Sequence, residues 1–162
     1  ASRVACVILD NGDTKCWGVG SDNSVLGYGD LASRGGSASD MGDNLPALDL
    51  GEGMQATNVV RGPTHTCVVL EDGGAKCWGD GSNGALGYGD ILTRGDGPDE
   101  MGDNLPVLDL GTNLTVLDIG LGDHFTCALF VGGTVKCWGL ADTGQLGYGD
   151  STNRGTDMSS MG

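Results

Sequence analysis

Residues 76–90 read Lys76-Cys77-Trp78-Gly79-Asp80-Gly81-Ser82-Asn83-Gly84-Ala85-Leu86-Gly87-Tyr88-Gly89-Asp90, and the recurrence of both ends of this stretch decides the fold. Lys-Cys-Trp-Gly stands at 15–18, 76–79 and 136–139, and Leu-Gly-Tyr-Gly-Asp at 26–30, 86–90 and 146–150. The period is sixty residues, with one residue inserted between Trp17 and Leu26. Self-similarity at a fixed period is the signature of a repeat array, in which each small unit buries its apolar face against its neighbours. Further out, Met-Gly-Asp-Asn-Leu-Pro at 41–46 returns at 101–106, each copy followed by Leu-Asp-Leu-Gly, and Met161-Gly162 opens a third copy. The chain therefore divides into a partial first repeat at 1–44, a second at 45–104 and a third at 105–162, and is expected to be an excerpt of one longer, continuous array.

Within one unit, Leu105 to Leu110 and Leu114 to Ile119 are short, partly alternating apolar runs separated by Gly-Thr-Asn, and they predict two strands. His124 to Phe130 and Thr134 to Trp138 flank Val-Gly-Gly, and a tight hairpin follows because glycine reaches positive φ without steric penalty. No segment carries the three-and-four apolar spacing of a helix beyond a single turn. The expected class is all-β: tandem four-stranded antiparallel blades in a propeller-like or an open superhelical array. Thirty-two glycines beside only 3 Trp, 3 Tyr and 2 Phe mean that turns dominate the backbone and few large side chains fill the core. The recurrent aromatics Trp17, Trp78, Trp138, Tyr28, Tyr88 and Tyr148 are therefore expected at repeated packing positions between sheets.

Twenty-two acidic against eight basic residues give a formal charge of -14, which repels phosphate backbones and anionic membranes and argues against nucleic acid as a partner. No run of eighteen apolar residues is present, so direct membrane insertion is not expected. Six cysteines fall as Cys6/Cys16, Cys67/Cys77 and Cys127/Cys137, always ten apart. Cys67 and Cys77 are symmetric about Asp72 in the Glu-Asp-Gly-Gly turn, which places them as cross-strand neighbours able to bridge. Three local disulfides are expected over buried free thiols or zinc, whose ligand spacing is usually shorter. Persistent disulfides point to an extracellular or cell-surface location.

The residues also carry a family resemblance. His65-Thr66-Cys67, then a hairpin, then Cys77-Trp78-Gly79 and Gly84-Ala85-Leu86-Gly87-Tyr88-Gly89-Asp90 resemble the propeller repeat of the regulator of chromosome condensation family, and Gly144 to Asp150 fit the pattern better still. The cysteine pairs and the long link from Arg-Gly to Met-Gly-Asp-Asn-Leu-Pro depart from it, and are similar to secreted repeat proteins and algal mastigoneme-like surface glycoproteins. A seven-bladed propeller at this period would need about 420 residues. The resemblance implies two complete blades, 45–79 and 105–138, and one hairpin, 4–17, whose outer strands come from elsewhere.

His65 and His124 do not align with each other and read as framework, and no nucleophile elbow, metal-binding helix motif or phosphate loop is present, so no enzyme activity and no cofactor are expected. Asp30/Arg34, Asp90/Arg94 and Asp150/Arg154 recur four residues apart and predict an ion pair that braces a turn or joins blades. Arg94-Gly95-Asp96 spells an adhesion tripeptide that the other repeats lack. The loops Asp10 to Asp13 and Asp80 to Asn83 contain calcium-type oxygens without completing a calcium-binding loop, and Asn113-Leu114-Thr115 is an N-glycosylation sequon, so glycans are a candidate partner. Near-identical spacing without a unique site points to a non-enzymatic extracellular structural module, a building block of a surface filament or appendage whose partners are neighbouring repeats or identical subunits. The alternative is a secreted propeller-type protein-binding or inhibitor module, with variable loops on a constant frame.

Overall fold

The structure, a computed structural model, describes residues 3–21 and 25–161. Residues 22–24, inside the first Trp-to-Leu loop that carries the inserted residue, and the ends 1–2 and Gly162 lie outside them. Strands β1 (Val4–Ile8) and β2 (Thr14–Gly18) form one antiparallel hairpin. β3 (Ala56–Arg61), β4 (His65–Leu70) and β5 (Ala75–Gly79) form a three-stranded meander. β6 (Val116–Leu121), β7 (Phe125–Phe130) and β8 (Val135–Gly139) repeat it. Among the described residues, five single-turn 3-10 helices punctuate the links.

Each central hairpin closes through a three-residue loop with a glycine bulge. Gly73 donates to the Leu70 carbonyl at 3.0 Å while Leu70 donates to Gly74, and Gly12 and Gly133 take the same place with φ of 86° and 88°. That conformation belongs to the left-handed region, which explains the glycine in all three turns.

Alternation along the strands splits the core into two layers. On the middle sheet Val68, Leu70 and Trp78 face the first sheet, where they meet Cys16, Val25, Leu48, Leu50 and Leu105. Cys67, Val69, Ala75 and Cys77 face the third, where they meet Leu108, Ile119, Phe130 and Trp138. β4 is consequently buried at every position, as its unbroken His-Thr-Cys-Val-Val-Leu reads, whereas β7 is buried only at every second one. Trp78 and Trp138 thus pack back against the preceding unit, and each disulfide lies on the opposite face of its sheet from the tryptophan.

The expected four-stranded blade is corrected to three strands. Residues 45–50 and 105–110 are not strands: Pro46 and Pro106 have no N–H to give to a ladder, and only Leu48 and Leu108 pair, donating to the Thr14 and Ala75 carbonyls at 2.7 and 2.8 Å. Moreover, these segments lie along the edge of the sheet that precedes them in the chain, not along the one they were expected to open. The outer edge of each sheet is met by a single bridge, Gly18 to Arg34, Gly79 to Arg94 and Gly139 to Arg154.

Candidate functional site

The recurring Leu-Gly-Tyr-Gly-Asp segment covers the outer edge of its own sheet. The Tyr28 hydroxyl accepts from the Cys16 N–H at 3.1 Å and donates to the Cys16 carbonyl at 3.0 Å, so one side chain does what a neighbouring strand would do. Tyr88 repeats both bonds on Cys77, at 3.0 and 3.1 Å, and Tyr148 accepts from the Cys137 N–H at 3.0 Å. An open edge is a template for unwanted strand pairing, and this arrangement blunts it. Burial pushes the Tyr28 and Tyr88 phenols above their ordinary pKa, which keeps each hydroxyl a donor.

The arginine of each unit holds the loop that follows. Arg34 exchanges both backbone bonds with Gly18, at 2.8 and 2.9 Å. Its guanidinium grips Asp30 through two bonds of 2.8 Å and lies over the Tyr28 ring, 4.1 Å from the centroid. Arg94 grips Asp90 at 2.9 and 2.7 Å over Tyr88 at 4.3 Å, and Arg154 grips Asp150 at 3.1 and 2.9 Å over Tyr148 at 4.1 Å. The hydrogen bonds from arginine hold the Asp30 and Asp90 carboxyls below the usual range and that of Asp150 at about 2. Each aspartate also accepts from the N–H two residues on, at 2.9 to 3.0 Å, which fixes the turn.

Between aspartate and arginine the frame presents three residues that differ in every unit: Leu31-Ala32-Ser33, Ile91-Leu92-Thr93 and Ser151-Thr152-Asn153. Ile91 and Leu92 are 62% and 61% exposed, large apolar side chains held out at a braced tip.

The three cysteine pairs are closed in the structure, with Cα atoms 4.1, 4.1 and 4.0 Å apart and partners directly opposite in register. Trp78 and Trp138 are buried, whereas Trp17 is half-buried. His65 is fully buried and links two sheets. Its Nε2 lies 2.7 Å from the Thr126 hydroxyl, which gives its own proton to the Ala85 carbonyl at 2.8 Å, so Nε2–H is the donor. Burial, with the nearby Arg61 and His124 charges, lowers the His65 pKa to about 4. His124 sits half-buried at φ 58°, its Nδ1 3.5 Å from Asp80.

The adhesion tripeptide is spoken for internally: the Arg94 side chain is on Asp90, and the Gly95, Asp96 and Gly97 N–H groups all donate to Glu100 Oε2 at 2.9 to 3.1 Å. The acidic loops spend their oxygens on turns as well, Asn11 on Asp13 and Asp80 on Ser82. Among the described residues no three His, Cys, Asp or Glu side chains gather as a metal-holding group. Asn113 is exposed with φ 61° at the turn before β6.

Sequence reasoning passed over Lys15, Lys76 and Lys136, although they stand in every Lys-Cys-Trp-Gly. Lys76 is buried, and its ammonium donates to the Leu50 and Gly102 carbonyls at 2.6 and 2.9 Å, tying the links on both sides of its strand. Lys136 reaches Leu110 at 3.0 Å, and Lys15 reaches Gly42 at 3.2 Å. Their invariant spacing was the available signal.

Residues 57–85 match the family model for the regulator of chromosome condensation (RCC1) repeat. The chain is similar to the ultraviolet-B receptor UVR8 of Arabidopsis thaliana, 33% identical over 150 residues that cover 90% of this chain and 30% of the receptor. It is 31% identical to the human E3 ubiquitin-protein ligase HERC2 over 151 residues, 91% of this chain and 3% of the ligase. Among solved structures, yeast RCC1 (Prp20) bound to Kap60 superposes with a TM-score of 0.61 at 15% identity, over 93% of this chain and 33% of that one. The chain thus spans under a third of these curated relatives, and it has an RCC1-repeat, propeller-like fold. Nothing in these likenesses supports the resemblance to algal mastigoneme-like glycoproteins.

Proposed function

We propose, from a repeat fold of the regulator-of-chromosome-condensation type, that this chain is a non-catalytic protein-binding module whose recognition positions are the braced tips 31–33, 91–93 and 151–153. One observation carries the reading: the Asp–Arg–Tyr brace is the same in three units while the residues it presents change in each. A structural rod gains nothing from varying what a constant frame displays, whereas a binding surface does. Binding residues are commonly loops positioned by a rigid scaffold, and an exposed pair such as Ile91-Leu92 on a pre-ordered turn loses little conformational entropy when covered. The filament expectation has no comparable observation behind it, and the binding alternative takes its place.

The three disulfides support an extracellular or cell-surface setting. In a eukaryotic secretory route Asn113 is the position for a glycan, which would project from an exposed turn. The repeats are taken as one continuous array with units at 1–44, 45–104 and 105–162. The test is a paired capture from secreted or surface proteins of the source, using the native chain and an Ile91→Asp/Leu92→Asp variant matched in melting temperature. A partner held by the native chain and lost by the variant is the expected result; identical capture by both sinks the assignment of the tips.

A further inference from the structure

A cavity of about 530 Å³ lies between the links of the first and second sheets, within the range of about 300–1,000 Å³ common for ligand clefts. Tyr28, Pro46, Pro98 and Met101 give it apolar walls, and Asp49, Asp99 and Asp103 border it. The one cation among the described lining residues, Arg34, is held by both oxygens of Asp30 and by the face of Tyr28. Lys76, which acts electrostatically on Asp49 and Asp103, is buried with its protons on two carbonyls. The border therefore keeps more negative than positive charge, on a chain whose formal charge is -14.

At the next interface a Cβ built on Gly89 would fall 2.5 Å from the Met158 sulfur, whereas one on Gly29 would meet the Gly97 carbonyl oxygen at 2.9 Å and stand 3.7 Å from the Cα of Pro98, the counterpart of Met158.

We propose that this groove binds an extended basic segment of a partner protein. Its arginine or lysine heads meet Asp49, Asp99 and Asp103, and its apolar stems and neighbouring side chains lie on Tyr28, Pro46, Pro98 and Met101. Charge complementarity selects this occupant, because an acidic or neutral segment would cover three exposed carboxylates while bringing no positive charge to them. The inference rests on the protein-binding reading and names the chemistry of the partner.

The probe is a fluorescein-labelled peptide alternating arginine with leucine, followed by fluorescence anisotropy against the full chain, with a glutamate–leucine peptide as control. The basic peptide is expected to bind and to weaken as salt rises, and the acidic one to stay free. Asp49→Asn/Asp99→Asn/Asp103→Asn is expected to weaken binding about tenfold, at the upper end for exposed ion pairs taken together. Asparagine keeps the oxygens that cap the Gly51 and Glu52 N–H groups. Asp10→Asn/Asp123→Asn/Asp142→Asn removes the same charge elsewhere and is expected to change binding less than about twofold. If the triple variant melts early, Asp99→Asn alone, at an exposed position, is expected to cost about twofold to threefold. Equal losses in both triple variants, or none in either, overturn the groove. The Ile91→Asp/Leu92→Asp capture is independent of it, so a failed groove with a successful capture leaves the binding module standing.

Discussion

The interface between the second and third sheets is built like the one between the first and second, yet among the described residues the threonine and tryptophan common to both find hydrogen-bond partners at only one of them. At the second-to-third interface the Ala85 carbonyl accepts from the Trp138 indole at 3.1 Å and from Thr126 at 2.8 Å, and His65 completes the chain. At the first-to-second interface Thr66 and Trp78 occupy the places of Thr126 and Trp138, but Thr66 Oγ1 and Trp78 Nε1 have no hydrogen-bond partner among the described residues. Val4 stands where His65 would be. Packing is therefore a property of the repeat, whereas polar satisfaction is decided interface by interface. Buried donors left unpaired cost about 1–3 kcal/mol each, so the first interface is expected to open before the second.

The largest expected effect tests the shared part. Trp78→Ala and Trp138→Ala should each destabilise by about 3–5 kcal/mol, since both indoles are buried against the Gly27 and Gly87 turns, where a Cβ would come within 2.5 and 2.6 Å of the ring nitrogen. Denaturant midpoints with unchanged slopes would give the values. A loss under about 1 kcal/mol at either site would break the idea that the tryptophan is the common anchor.

Next comes the part that differs. The His65 pKa is lowered in the folded state from 6.5 to about 4, so folding favours the neutral ring. Its contribution is full above the unfolded pKa and is lost as pH falls from about 6.5 towards 4, up to roughly 3 kcal/mol. His65→Phe, which places in the second unit what Phe125 is in the third, is expected to remove most of this acid dependence. Stability measured from pH 7 to 4 on both proteins checks it, and parallel curves would show that His65 is not the titrating group.

The disulfides sharpen the comparison through exposure. Cys67 and Cys77 are buried between two sheets, while Cys127, Cys137 and Cys6 are half-buried. Reduction and alkylation under native conditions should therefore reach the central pair last. Removing that pair should cost roughly 3 kcal/mol in the chain-entropy account for a loop of this size. Peptide mapping over a reductant series would show the order, and simultaneous loss of all three would contradict it.

Much of this was legible. The sixty-residue period, the hairpins and the cysteine pairing follow from spacing and turn chemistry alone, because both are local. The fourth strand was misread because Leu45-Pro46-Ala47-Leu48-Asp49-Leu50 resembles an apolar run, and nothing in that run shows that its single ladder bond goes to Thr14, thirty-four residues earlier. The His65–Thr126 contact spans 61 residues, and the groove brings together Tyr28, Pro46 and Pro98 from separate links. Long-range choices of that kind leave no period for a reader to find. Lys76 was missed for the opposite reason: a repeated lysine reads as a solvated charge, and only burial reveals that its ammonium ties two links.

The smallest expected effect concerns the brace. Asp90→Asn removes a bidentate ion pair whose side chains keep 34% and 18% exposure, so solvent screening leaves its net worth at about 0–1 kcal/mol. Its carboxyl is held below its ordinary pKa by the Arg94 hydrogen bonds, so whatever it contributes is present above about pH 4 and fades as pH falls through the lower folded value. Asparagine keeps an oxygen for the Leu92 N–H but cannot satisfy both guanidinium nitrogens, and the arginine that carries the Gly79 bridge is then held less firmly. The global melting point should barely move, while amide exchange at Leu92 and Arg94 should quicken severalfold. That split is what separates a loop-ordering device from a stabilising one. A drop of several kcal/mol would make the brace part of the core, and unchanged exchange would show that the tips are ordered by the tyrosine and the backbone bridge alone.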